Sequence, residues 1–89
     1  MKLIILDRDG VINHDSEKYI KKPSEWKSYP QSLQAIKKLK LNDWTVTVAT
    51  NQSGIGRKLF TTDTLNKIHL KMQNELKHIG TNIDYLTYC

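Results

Sequence analysis

Asp7 and Asp9 flank Arg8 directly after the apolar run Leu3-Ile4-Ile5-Leu6, and Gly10 follows them. Two carboxylates at this spacing suit a hard, oxygen-seeking cation such as Mg2+. They equally suit a nucleophile placed beside an acid/base group. Position supports both uses, because ligand sites in open α/β sheets lie just past the carboxyl ends of the strands. Asp and Gly are also ordinary turn residues, but two acids around an Arg after a wholly apolar run weigh against a mere turn. A second cluster, Thr50-Asn51-Gln52-Ser53-Gly54, offers hydroxyl and amide donors. Alone it reads equally as a polar strand-to-helix connection; beside Asp-x-Asp it reads as a phosphate loop.

The elements that must position these residues are legible in outline. Residues 2–6 form a first strand, and four consecutive apolar residues predict burial on both faces in a parallel sheet. Residues 10–30 are polar, punctuated by Pro23 and Pro30, and form a long loop anchored by Trp26 and Tyr29. Leu33, Ile36 and Leu39 share one helical face, with Ser32 as the expected cap and Asn42-Asp43 as the stop. Residues 44–49 alternate β-branched residues and form a second strand, which delivers Thr50 to the same edge as Asp7. Leu65, Ile68, Met72, Leu76 and Ile79 recur at helical spacing between a cap at Thr61 or Thr62 and Gly80. Ile83–Tyr88 is a third strand. The order βαβαβ implies right-handed crossovers and a parallel sheet.

Composition narrows the function classes. The 89 residues allow one small domain with a modest core. No apolar run is long enough to span a membrane or to form the core of a signal peptide. A single cysteine makes no internal disulfide, and the cytoplasm is the expected compartment. The net charge of +5 raises nucleic-acid binding as a second class. The lysines are dispersed, however, and no aromatics interleave with them. Lys37, Lys38, Lys40, Lys67, Lys71 and Lys77 therefore read as solvated helix faces. His69 and His78 fall on the polar side of their helix and are expected to face solvent.

Asp7-Arg8-Asp9-Gly10-Val11-Ile12-Asn13 resembles the first motif of haloacid dehalogenase (HAD) superfamily phosphatases. The Arg and the trailing Asn resemble the branch that holds D,D-heptose 1,7-bisphosphate phosphatase and histidinol-phosphate phosphatase. Thr50-Asn51-Gln52-Ser53-Gly54-Ile55-Gly56-Arg57 is similar to that branch's second motif, and Tyr85-Leu86-Thr87-Tyr88-Cys89 to the entry of its zinc loop. The resemblance implies the N-terminal half of a Rossmann-like HAD core spanning residues 1–89, with the later motifs absent. It implies Asp7 as nucleophile, Asp9 as acid/base, and Thr50 as a donor to the phosphoryl group. Arg8, Asp15, Tyr19, Asn51, Gln52, Ser53 and Arg57 would touch substrate. Asp7 and the main-chain carbonyl of Asp9 would hold Mg2+, and Cys89 would join a zinc site only in a longer parent.

The function so implied is hydrolysis of a small sugar phosphate, with heptose 1,7-bisphosphate cleaved at its 7-phosphate expected before histidinol phosphate. The heptose route leads to lipopolysaccharide. The full domain is expected to be a monomer. An inactive remnant or a basic binding module is the competing class, and an isolated half would leave β-strand 1 on an open edge that favours self-association.

Overall fold

The computed structural model describes residues 2–15, 20–50 and 61–88. Strand β1 (Lys2–Asp7), helix α1 (Pro30–Leu41), strand β2 (Trp44–Thr50), helix α2 (Thr62–His78) and strand β3 (Tyr85–Tyr88) follow in that order. The sheet runs β1-β2-β3 and is parallel throughout, with Ile4 opposite Val46, Leu6 opposite Val48 and Thr50 opposite Tyr88. The expected α/β architecture is therefore present.

Both helices lie on the same face of the sheet. Leu33 and Ile36 of α1 and Ile68, Met72 and Leu76 of α2 close one core over Val46 and Val48, with Ile4 and Leu6 packed against it. This arrangement corrects the expectation that β1 is buried on both faces. A sheet whose strands succeed one another in a single direction receives its crossover helices on one side. The other side presents Leu3 (49 % exposed), Ile5 (64 %) and Tyr85 (65 %). β1 is also an edge strand, as expected for an isolated half.

The helix ends follow their local chemistry, with one difference. Pro30 occupies the first turn of α1, where its missing N–H costs nothing, and Tyr29 is the cap residue. Ser32 is not the cap; its hydroxyl donates instead to the carbonyl of Val11 and ties α1 to the loop after β1. Asn42 caps the far end, and Asp43 takes a left-handed conformation (φ 65°) that short polar side chains tolerate. Thr61 caps α2 by accepting the N–H of Thr64 at 3.1 Å. At the other end Gly80 (φ 84°) supports paired bonds from Gly80 N to Lys77 O and from Thr81 N to Leu76 O.

β3 starts two residues later than expected, and Asp84 is the reason. Its main-chain N–H donates to Val46 O at 2.9 Å, and its carboxylate accepts the Val46 N–H at 2.8 Å. The side chain thus replaces a ladder bond just before the regular pairing begins at Tyr85. Lys40 Nζ holds the same carboxylate at 2.6 and 2.7 Å. These donors keep the Asp84 carboxyl below the ordinary carboxylate range, against a smaller opposing effect of burial.

The loop before α1 is pinned onto α2. Trp26 is fully buried next to a short 3-10 turn, Pro23–Glu25. Lys71 Nζ donates to Pro23 O at 2.9 Å and Trp26 O at 2.8 Å, and Ser28 donates to Glu75. Lys71 is therefore a structural tie and not a solvated charge. Lys67 does face solvent, 3.5 Å from the carboxylate of Asp63 one turn earlier.

Candidate active site

The parallel register brings Asp7 and Thr50 to one rim. Asp7 ends β1 and sits opposite Ala49, one residue before Thr50 at the end of β2. Alternation turns Asp7 toward the open face of the sheet. There Asp7, Ala49, Thr50, Thr87 and Tyr88 line a depression of about 500 Å3. A larger groove of about 710 Å3 runs between the helices past Leu33, Lys67 and Glu75, but no strand-end residue lines it. Asp7 Oδ1 accepts the N–H of Arg8 at 2.9 Å, which fixes the turn of the carboxylate at the strand end.

A tight loop places Asp9. The carbonyl of Arg8 receives the N–H groups of Val11, Ile12 and Asn13 at 3.2, 2.8 and 3.3 Å, and Gly10 N donates to Asn13 O at 2.7 Å. Gly10 has φ 83°; the nearest atom to an added Cβ is 3.9 Å away, so backbone conformation and not space requires glycine there. Asp9 Oδ1 accepts Arg8 Nε at 2.8 Å and Asn13 Nδ2 at 2.9 Å, and Arg8 Nη2 lies 2.8 Å from it. Among the described residues Oδ1 takes both hydrogen bonds and the Arg8 Nη2 contact, so Oδ2 is the oxygen suited to exchange a proton.

Two residues depart from their expected roles. Arg8, expected to touch substrate, is 0 % exposed; its Nε and Nη1 bond to Asp9 and His69, while Nη2 lies close to Asp9 Oδ1 without making a hydrogen bond. It is a buried strut because β1 aims it into the core opposite to Asp7. His69, expected at the surface, is 5 % exposed, with Nε2 2.9 Å from Arg8 Nη1. An Arg donor obliges Nε2 to be an acceptor, so the ring is neutral with its proton on Nδ1. Burial first, and the Arg8 charge second, push the imidazole down to about 4, with Asp9 opposing weakly. The signal was present in the sequence: His69 lies four residues after Leu65 and three before Met72, on the buried stripe. His78 is exposed, as expected.

Asp15 is exposed beside the Gly10 turn. Tyr19, Asn51, Gln52, Ser53, Arg57 and Cys89 lie outside the described residues. The donors at the strand end, an exposed carboxylate and a neighbouring main-chain carbonyl, suit Mg2+ in type. Among the described residues no three of His, Cys, Asp and Glu gather into a metal cluster. Two protein oxygens agree with an ion that keeps much of its water. Among the described residues no helix is long and apolar enough to cross a membrane.

A family model described as polynucleotide kinase 3 phosphatase matches residues 2–89. The chain belongs to this family. It is 56 % identical over 89 residues to D-glycero-beta-D-manno-heptose-1,7-bisphosphate 7-phosphatase of Bordetella bronchiseptica and 47 % identical to that of Pseudomonas putida. These alignments cover 100 % of this chain and 50 % and 51 % of those proteins, so the chain spans about half the length of the curated relatives it matches. The crystal structure of the B. bronchiseptica D,D-heptose 1,7-bisphosphate phosphatase, complexed with magnesium and phosphate, superposes with a TM-score of 0.97. The match again covers all of this chain and 50 % of the other. A HAD-like phosphatase from Mesorhizobium loti, 35 % identical, gives 0.89 over 99 % of this chain and 41 % of that one.

Proposed function

We propose that the chain is the N-terminal part of a HAD-type, Mg2+-dependent phosphatase that removes the 7-phosphate of D-glycero-β-D-manno-heptose 1,7-bisphosphate. The carrying observation is the strand-end pair: Asp7 faces the depression at the carboxyl edge beside Thr50, while the next loop holds Asp9 by one oxygen. The magnesium- and phosphate-bound relative of the same fold supports it.

Asp7 attacks phosphorus, and the ester P–O bond breaks with its electron pair leaving on the substrate oxygen. Asp9 gives that oxygen its proton. Water then adds to phosphorus and yields a proton to Asp9, and the Asp7–phosphorus bond breaks. Both carboxyls return to their starting states. Thr50 donates its hydroxyl to a phosphoryl oxygen, a contact worth about 3 kcal/mol in the transition state. Asp7 and the Asp9 carbonyl would hold Mg2+, which when bound offsets the repulsion between carboxylate and phosphate. Asp15, Tyr19, Asn51, Gln52, Ser53 and Arg57 are the proposed substrate contacts, and Cys89 a zinc ligand only in a longer chain. The dispersed basic charge favours no nucleic-acid partner. We place the enzyme in the cytoplasm as a monomer, serving lipopolysaccharide synthesis.

The test is phosphate release by the protein's full reading frame, with and without Mg2+, on heptose 1,7-bisphosphate and histidinol phosphate. Faster Mg2+-dependent turnover of the heptose is the expected result. Equal or faster turnover of histidinol phosphate reverses the substrate assignment, and no hydrolysis of either removes the activity.

A further inference from the structure

We propose that His69 is a positioning residue for the Asp-x-Asp pair: through Arg8 it sets which oxygen of Asp9 is free to exchange a proton. The inference rests on the acid/base role proposed for Asp9. Its geometry is a chain of short contacts, from His69 Nε2 to Arg8 Nη1 at 2.9 Å and from Arg8 Nε and Nη2 to Asp9 Oδ1 at 2.8 Å each.

Guanidinium is planar and rigid, so a contact at Nη1 fixes the direction in which Nε and Nη2 point. Asp9 binds that opposite edge through a single oxygen, and Asn13 adds its own donor to the same atom. The outcome is a carboxylate with Oδ1 saturated and its rotation locked. Arg8 is fully buried, so water cannot replace His69 at Nη1. A guanidinium without that acceptor would reach for another partner and take Asp9 Oδ1 with it. His69 sits on α2, within the stripe that seals the core, and so couples the helix to the catalytic loop 61 residues earlier. Burial and the Arg8 charge keep the ring neutral and able to accept at neutral pH.

A histidine that only filled space would be replaceable by any side chain of similar size. A positioning histidine needs an acceptor at the place of Nε2. His69→Gln keeps an amide oxygen near that point; His69→Met fills the volume without a strong acceptor. In the protein's full chain, assayed well below the melting temperature of each variant, His69→Met should lower kcat about ten- to a hundredfold with KM within about twofold. His69→Gln should recover most of the loss. Asp9→Asn is run beside them. If it turns over at the wild-type rate, the acid/base reading fails and this inference with it. If Asp9→Asn is crippled while His69→Met and His69→Gln both keep wild-type kcat, the inference alone is overturned. Nitrogen-resolved NMR of the same full chain, labelled on histidine, gives a readout apart from activity. A neutral ring protonated on Nδ1 is expected at pH 7, and a proton on Nε2 overturns the proposal whatever the rates.

Discussion

Asp84 offers a quantitative test of how β3 reaches the rim that carries Thr87 and Tyr88. Its carboxylate does two separable things, accepting the N–H of fully buried Val46 and pairing with Lys40. Asp84→Ala removes both and strands the Val46 donor, which costs about 1–3 kcal/mol. The partly exposed ion pair adds about 0.2–1 kcal/mol. Asp84→Asn keeps an oxygen for Val46 and loses only the charge, so its cost should be about 1 kcal/mol or less. Denaturant titration of the three proteins at neutral pH should rank wild type above Asn above Ala. Acid provides the second arm. The folded carboxyl titrates below its unfolded value, so its contribution is fully present above about pH 4. That contribution is lost as pH falls through the folded value, and wild type and Asp84→Asn should converge there. Equal stability of the Ala and Asn variants, or a gap that survives full protonation, would refute the reasoning.

Asp9→Asn in the full-length protein should lower kcat about a hundred- to ten-thousandfold in steady-state kinetics run well below its melting temperature, which should itself fall because buried Arg8 loses its carboxylate partner. Thr61→Ala, which deletes the cap of α2, should cost about 1 kcal/mol in denaturant titration. Ile5→Lys on the open sheet face should reduce self-association of the 89-residue chain in sedimentation without lowering its stability, because Ile5 is 64 % exposed.

Local chemistry that repeats with the backbone period was legible in the sequence. The β-branched alternation of β2, the Leu65–Leu76 stripe, the Thr61 cap and the Gly80 stop each name their own element and stand where expected. The Asp-x-Asp pair after β1 was legible for the same reason, since strand, carboxylates and turn are contiguous. Features that depend on which face an element presents were not. A continuous apolar run cannot say that one side of β1 lacks a covering layer, and this sent Leu3 and Ile5 to the wrong environment. His69 was assigned by its polarity; its position on the stripe decides its burial, and only Arg8 arriving from β1 explains why a polar ring is tolerated there. Ser32 and Lys71 likewise spend their donors on carbonyls from distant segments that no local pattern reveals.

The central claim is that Asp7 attacks phosphorus, and trapping the covalent intermediate tests it most directly. Full-length protein is mixed with Mg2+ and heptose 1,7-bisphosphate radiolabelled in the 7-phosphate, quenched in acid within one turnover, digested and mapped. The expected result is label on the peptide containing Asp7, released by hydroxylamine as an acyl phosphate and absent from Asp7→Asn. Turnover that persists in Asp7→Asn, or label that maps to another residue, would contradict the assignment.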